Sequence, residues 1–308
     1  MFTSVLEEDS PMAKNGVARL DPRASRRSSG LTVEVFPPAR PEGIDALADN
    51  VQRLFALSPE FASVTYGAGG STRERSLSAV KRLLHETQGK VAAHVTCVAC
   101  SATETDRVVD DFLEMGVTRF FALRGDVPGA GQASDSYPDA VSLVSALRRR
   151  GVRDISVAAY PDVHPKAASA HSDIDVLKAK IDAGATRAVT QFFLDNRSFY
   201  RFRDRLAHDG FTAPLIPGVL LFEDFSRAVT FAERCGTAVP EAARRRFAPF
   251  AADPAGARAE ARRFLAEQIA DLEADGVERF HLYTLNRSEL AVELFSPLPE
   301  DIRETAAA

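Results

Sequence analysis

Four short stretches of this chain combine residue types that could do chemistry. The first is Leu31-Thr-Val-Glu-Val-Phe-Pro-Pro38, in which Leu31, Val33 and Val35 alternate with Thr32, Glu34 and Phe36. Period-two alternation sends these sets to opposite faces of a strand. Pro37 and Pro38 end the strand at once, which leaves Glu34 close to its C-terminal end. A carboxylate in the middle of a β-branched strand loses its hydration if buried. Keeping its proton avoids that cost and turns the residue into a proton donor. The competing reading is a Glu on the solvated face of an edge strand.

The second stretch, Ala122-Leu-Arg-Gly-Asp126, sets a cation and an anion around a glycine. It reads either as a surface ion pair of little worth or as an Asp oriented for function. The third, Ala158-Ala-Tyr-Pro-Asp-Val-His-Pro165, is a stiff loop in which prolines bracket Asp162 and His164. A metal pair there lacks a third ligand at sensible spacing, so no metal is expected. The fourth, Thr190-Gln-Phe-Phe193, places an amide beside aromatic rings. That suits a flat heteroaromatic ligand, held by Gln191 and stacked on rings; a core Phe pair with a locally satisfied Gln is the plainer alternative. Cys97-x-x-Cys100 has no second pair and reads as core packing. His85 and His208 sit near helix ends, and no Ser-His-Asp or Cys-His triad can be placed.

The elements that must position these residues repeat in one pattern, a short apolar strand, an amphipathic helix and a Gly or Pro break. The predicted pairs are 31–36 with 44–57, 61–66 with 73–86, 91–97 with 103–115 and 119–124 with 140–150. They continue as 154–160 with 172–183, 187–193 with 197–207, 215–221 with 225–234, a helical insertion within 238–274, and 279–285 with 288–294. Alternating strands and helices imply a parallel sheet with right-handed crossovers. Eight such units close a (β/α)8 TIM barrel. An open doubly wound sheet would announce itself with G-x-G-x-x-G after its first strand, and that run is missing. A barrel gathers its catalytic groups at the C-terminal strand ends. Those ends carry Glu34, Thr65, His94 with Thr96, Arg124-Gly125-Asp126, Tyr160, Gln191, and Tyr283 with Arg287, whereas starts such as Phe61, Val91 and Ala188 are ordinary.

Residues 1–30 are polar and aperiodic and read as a disordered leader, with 31–308 a single barrel domain. The net charge of −5 and the lack of a basic stripe argue against a nucleic-acid partner. The densest basic runs, Arg148–Arg150 and Arg244–Arg246, read as solvated helix ends. No apolar run has membrane-spanning length, and three cysteines make no disulfide framework, so a cytoplasmic setting is expected.

Taken together, Glu-Val-Phe-Pro-Pro, Ser-Val-Thr-Tyr-Gly-Ala, His-Val-Thr-Cys, Ala-Leu-Arg-Gly-Asp, Ala-Ala-Tyr-Pro-Asp-Val-His-Pro, Thr-Gln-Phe-Phe and Tyr-Thr-Leu-Asn-Arg strongly resemble the methylenetetrahydrofolate reductase family, in its order and spacing from Leu31 to about Leu290. The chain looks like the short bacterial form. The resemblance implies an FAD enzyme that takes hydride from NADH or NADPH and passes it by a ping-pong route to 5,10-methylenetetrahydrofolate, giving 5-methyltetrahydrofolate. It implies Glu34 as general acid and Asp126 as the anion that stabilises the iminium cation. It implies Gln191, Phe231, Tyr283 and Arg287 as substrate-binding residues. Thr65, His94, Arg124, Gly125, Asp126, Tyr160, His164, Asp173 and Lys180 match flavin-contacting positions. A homo-oligomer is expected, acting in one-carbon metabolism and methionine synthesis. The alternative is a non-catalytic or partner-dependent flavin- or folate-binding paralogue. The chain departs from the pattern at Leu221, where a proline is usual, at Arg227, where a folate-contacting Gln is usual, and at Val176 and Ala179, where Asn and Arg are usual.

Overall fold

The computed structural model describes residues 30–66, 70–97, 100–125, 135–164 and 167–296. Among these, the strands are β1 (Leu31–Val35), β2 (Phe61–Val64), β3 (Val91–Thr96), β4 (Arg119–Leu123), β5 (Asp154–Ala159), β6 (Arg187–Thr190), β7 (Leu215–Ile216), β8 (Gly218–Leu220) and β9 (Phe280–Tyr283). Every pairing is parallel, in the order β7-β6-β5-β4-β3-β2-β1-β9-β8. The predicted seventh strand, 215–221, is divided by Pro217 into β7, which pairs β6, and β8, which pairs β9. Proline has no N–H to donate to a ladder, so one strand changes partners there. The two halves complete a (β/α)8 barrel whose eighth position is β9.

The helices are α1 (Ile44–Phe55), α2 (Gly70–Glu86), α3 (Ala102–Glu114), α4 (Ala140–Arg149), α5 (Ala170–Asp182), α6 (Asn196–His208), α7 (Phe225–Cys235), α8 (Glu241–Phe247), α9 (Pro254–Ala274) and α10 (Ser288–Phe295). The expected insertion before the last strand is α8 and α9, joined by a short 3₁₀ turn. In α1 the apolar stripe Leu47, Val51, Leu54 is buried at helical spacing. Side-chain caps begin α3 (Ser101 with Glu104), α4 (Asp139) and α5 (Ser169 with Ser172). Each satisfies backbone N–H groups that a helix start leaves unpaired.

The alternation in β1 separates two cores. Leu31, Val33 and Val35 join the layer between strands and helices, while Phe61, Ala92, Phe121, Val189 and Ile216 pack inside the barrel. Inside also lie Thr32 and Glu34, because the register sets Thr32 beside His281 and Glu34 beside Tyr283. The strand starts are less ordinary than the sequence suggests. Arg119, Asp154 and Arg187 open β4, β5 and β6, and they join Glu60 and Arg279 in a chain of ion pairs across the N-terminal end.

Candidate active site

Glu34 is 8% exposed and points into the C-terminal mouth of the barrel. Its Oε2 lies 3.6 Å from His94 Nε2 and 3.8 Å from His281 Nε2, both outside hydrogen-bond range. Both imidazole nitrogens are buried without a hydrogen-bond partner among the described residues, as is Thr96 Oγ1. Burial holds His94 down at about 4, against the smaller opposing pull of Glu34, so its ring is neutral at pH 7 and the 3.6 Å contact is not an ion pair. The ring stacks on Phe121 at 4.7 Å. Below it, Thr32 Oγ1 and His281 Nδ1 share a hydrogen bond of 2.8 Å. Burial, and then the charge of Glu34, raise the Tyr283 phenol well above its ordinary range; its hydroxyl donates to Thr190 O at 2.9 Å.

The backbone around Glu34 is clamped by the loop after β9. Thr284 Oγ1 donates to Glu34 O at 2.7 Å. The Asn286 amide accepts from Phe36 N at 2.8 Å and donates to Phe36 O at 2.9 Å. Leu285 and Asn286 adopt positive φ of 49° and 58° to make this turn. Four residues that the sequence reading did not single out, Thr32, His281, Thr284 and Asn286, therefore hold the acid. Two of them were findable: Thr32 and His281 lie two positions before Glu34 and Tyr283, on the same inward face.

The expected cofactor residues divide into groups. Arg124, Tyr160, His164, Asp173 and Lys180 line one cleft of about 390 Å³, within the range of about 300–1,000 Å³ usual for small-molecule sites. Its rim includes the N-terminal turns of α4 and α5, where helices favour anions. Lys180, 9% exposed, donates to Ala158 O at 3.0 Å, and burial lowers the pKa of its ammonium. His164 N donates to Asp173 Oδ2 at 2.9 Å, and the Tyr160 and His164 rings meet edge to face at 4.5 Å. Asp162 Oδ2 accepts from Ala238 N at 3.2 Å. Gly125, at φ 79°, turns the chain after β4 in a conformation that side chains disfavour. His94 belongs to the mouth rather than to this cleft, and Thr65 continues the β1–β2 ladder through its N–H to Val35 O. Asp126 lies outside the described residues.

Gln191 Oε1 accepts from Phe192 N at 3.0 Å. Phe231 on α7 stacks on Phe192 at 5.5 Å and 9°, and Phe192 meets Tyr283 edge-on at 6.1 Å, which joins Phe231 to the mouth. Phe193 instead stacks on Phe199 in the core. Arg287, at the start of α10, pairs with Glu223 at 3.0 Å. Of the departures, Val176 stands 48% exposed on the wall of the 390 Å³ cleft, Leu221 is fully buried and Arg227 is exposed. Cys97 is core, with burial raising its thiol to about 12. No helix among the described residues is long and apolar enough to cross a membrane.

Fold and site define a parallel (β/α)8 barrel with a buried acid at its C-terminal mouth and a ligand-sized cleft beside it. The family model for methylenetetrahydrofolate reductase matches residues 19–299. The 5,10-methylenetetrahydrofolate reductase of Pectobacterium carotovorum is 40% identical over 261 residues, covering 85% of this chain and 87% of that protein. That of Escherichia coli is 39% identical over 266 residues, covering 85% and 88%. Arabidopsis thaliana methylenetetrahydrofolate reductase (NADH) 1 is 29% identical, with 86% of this chain covering 47% of the plant protein. A Clostridium thermocellum protein solved with two copies of 5-methyl-5,6,7,8-tetrahydrofolic acid superposes at a TM-score of 0.59 and 12% identity, covering 92% of this chain and 98% of that one, a likeness of fold alone. The chain belongs to the methylenetetrahydrofolate reductase family.

Proposed function

We propose that this protein reduces 5,10-methylenetetrahydrofolate to 5-methyltetrahydrofolate, with FAD as its cofactor and NADH or NADPH as the hydride source. The observation that carries the reading is the setting of Glu34, a nearly buried carboxyl group aimed into the mouth of a barrel of this family.

The residues present fit the cofactor. The 390 Å³ cleft offers Arg124, Lys180 and two helix N-terminal turns to a pyrophosphate, and the Tyr160 and His164 rings to a flat group. Thr65, Gly125, Asp126 and Asp173 are assigned to the cofactor on their match to the family's flavin-contacting positions, and the orphaned His94 Nε2 and Thr96 Oγ1 face the same end of the barrel. FAD, when bound, supplies the two-electron hydride chemistry. The protein supplies the rest. Glu34 in its acid form donates a proton to the ring nitrogen of the folate and so helps open the imidazolidine ring to an iminium ion. The Asp126 anion stabilises that cation, more effectively in a dry site than in water. Gln191 holds the pterin and the nicotinamide amide in turn, Phe231 stacks on whichever is bound, and Tyr283 and Arg287 position the folate. Thr284 anchors the Glu34 backbone carbonyl, and the Thr32–His281 hydrogen bond fixes the imidazole that lies beside the carboxyl.

Anaerobic mixing tests this directly. The purified protein turns yellow with FAD, bleaches with NADH or NADPH, and recovers its absorbance on adding methylenetetrahydrofolate. Glu34→Gln keeps the bleaching and loses the recovery; loss of both half-reactions would contradict the role of Glu34, and colour that never bleaches would point to a binding protein.

A further inference from the structure

Two imidazoles face Glu34, and one of them has its protons placed by a further partner. His281 is fully buried on β9, two residues before Tyr283. Its Nδ1 lies 2.8 Å from Thr32 Oγ1, and the same hydroxyl donates to Phe280 O at 3.4 Å. A threonine hydroxyl has one proton to give. With that proton on Phe280 O, Oγ1 can only accept from the ring, so Nδ1 carries the hydrogen and Nε2 is left with a lone pair. The opposite polarity satisfies the 2.8 Å contact and forfeits the 3.4 Å one.

His281 Nε2 faces Glu34 Oε2 at 3.8 Å and has no hydrogen-bond partner among the described residues. A lone pair beside a carboxylate anion sets two acceptors against each other, whereas beside the carboxylic acid it is an acceptor with its donor. The separation is long for a hydrogen bond, as contacts at catalytic groups commonly are before a ligand closes them. An imidazolium beside a carboxylate would instead be a buried ion pair at 3.8 Å with no hydrogen bond, a geometry that does not repay its desolvation. The chain from Phe280 O through Thr32 and His281 to Glu34 therefore runs one way, each group donating to the one before it. The other groups around Glu34 do not supply such a polarity. His94 on β3 comes within 3.6 Å, but no hydrogen bond among the described residues fixes its tautomer. Tyr283 sends its hydroxyl proton to Thr190 O, and Ser63, the β2 neighbour of Glu34 in register, donates to Val33 O.

We propose that Thr32 and His281 are positioning residues for the reduction: Thr32 locks His281 in the Nδ1–H tautomer, whose bare Nε2 holds Glu34 as the carboxylic acid that donates to the folate. The inference rests on the folate-reductase reading above and adds how the acid keeps its proton. NMR of the FAD-free protein with ¹⁵N-labelled histidine reads the tautomer directly. His281, identified by the signals that vanish in His281→Gln, shows Nδ1 protonated and Nε2 bare. Thr32→Val keeps the branched shape without the hydroxyl, and this preference is lost.

Anaerobic stopped-flow of the FAD-loaded protein reads the consequence. Thr32→Val slows reoxidation by methylenetetrahydrofolate about tenfold, the worth of one hydrogen bond to the reacting acid. It also lowers by about one unit the pH above which that step fails. Reduction by NADH or NADPH is unchanged, and Thr32→Ser, which restores the hydroxyl, restores the folate step. If Thr32→Val does not fold, the wild-type spectrum still decides the tautomer and Thr32→Ala takes its place in the kinetics. A wild-type His281 protonated on Nε2 overturns the proposal. Equal slowing of both half-reactions, or folate kinetics in the variant that match wild type, overturn it as well. Wild-type flavin that the folate never reoxidises overturns the reductase reading instead, whichever tautomer is found.

Discussion

At the N-terminal end of the barrel, Arg279 meets Glu60 at 2.8 Å, Glu60 faces Arg187 at 3.8 Å, Arg187 meets Asp154 at 2.6 Å and Asp154 faces Arg119 at 3.3 Å. The guanidinium groups of Arg119 and Arg187 lie 5.9 and 5.4 Å from the Phe61 ring centre. At the C-terminal end, Glu34 stands 3.6 and 3.8 Å from two imidazole nitrogens and hydrogen-bonds to neither. Every charge of the first set has an opposite charge within 4 Å, although Arg187 Nη1 makes no hydrogen bond among the described residues, whereas Glu34 faces two imidazoles of which His94 is held neutral. An unpaired buried polar group costs stability, and three of them, His94 Nε2, His281 Nε2 and Thr96 Oγ1, gather around Glu34. The contrast separates an end braced by ion pairs from the end to which the proposed reaction is assigned.

The sharpest way to break the comparison is to mutate one residue at each end. Glu34→Gln should lower folate turnover by about 10³-fold, the scale of a lost general acid, and leave the unfolding free energy within about 0.5 kcal/mol of wild type. A large loss of stability would make Glu34 a structural residue. Arg187→Met should do the reverse. Its side chain is 13% exposed, and removing it leaves Asp154 with Arg119 and Glu60 with Arg279 as their remaining partners, so urea unfolding should register a loss of about 2 kcal/mol with turnover per folded molecule preserved.

The third prediction concerns pH. His94 is held at about 4 in the folded protein against 6.5 for an ordinary imidazole. The unfolded chain therefore binds the extra proton first, and the contribution of His94 is complete above pH 6.5 and is lost as pH falls towards 4. Unfolding measured at pH 6.5 and pH 5 should show about 1–2 kcal/mol lost to this group. His94→Gln should flatten that slope, and an unchanged slope in the variant would assign it elsewhere. The smallest effect is expected at Lys180, a buried ammonium with one backbone acceptor. Lys180→Met should weaken FAD binding about tenfold, the worth of a charge-assisted contact, while thermal melts of the FAD-free protein hold steady or rise.

Much of this was legible in advance. The eight strand–helix units were readable because apolar periodicity reports which face of an element is covered. Glu34 stood out because a carboxylate inside an apolar strand is costly if that face is buried. Arg124, Tyr160, His164, Asp173 and Lys180 came from motif resemblance, and they meet in one cleft. The ion-pair chain at the other end was missed, since Arg119, Asp154 and Arg187 lie more than thirty residues apart and become neighbours only through strand register. His281 was open to the same period-two argument as Tyr283, two positions on, but its hydrogen bond to Thr32 depends on strand register.

What the sequence by itself determined is which residues face inward, because period two and period 3.6 are local properties of the backbone. Which inward residues meet was decided by tertiary structure alone. Parallel register set Thr32 beside His281 and Glu34 beside Tyr283, and the change of partner at Pro217 let the eighth strand close on the first. Closure takes water from the barrel, and without water the spacing of a few ångströms between Glu34, His94 and His281 acquires its chemical meaning.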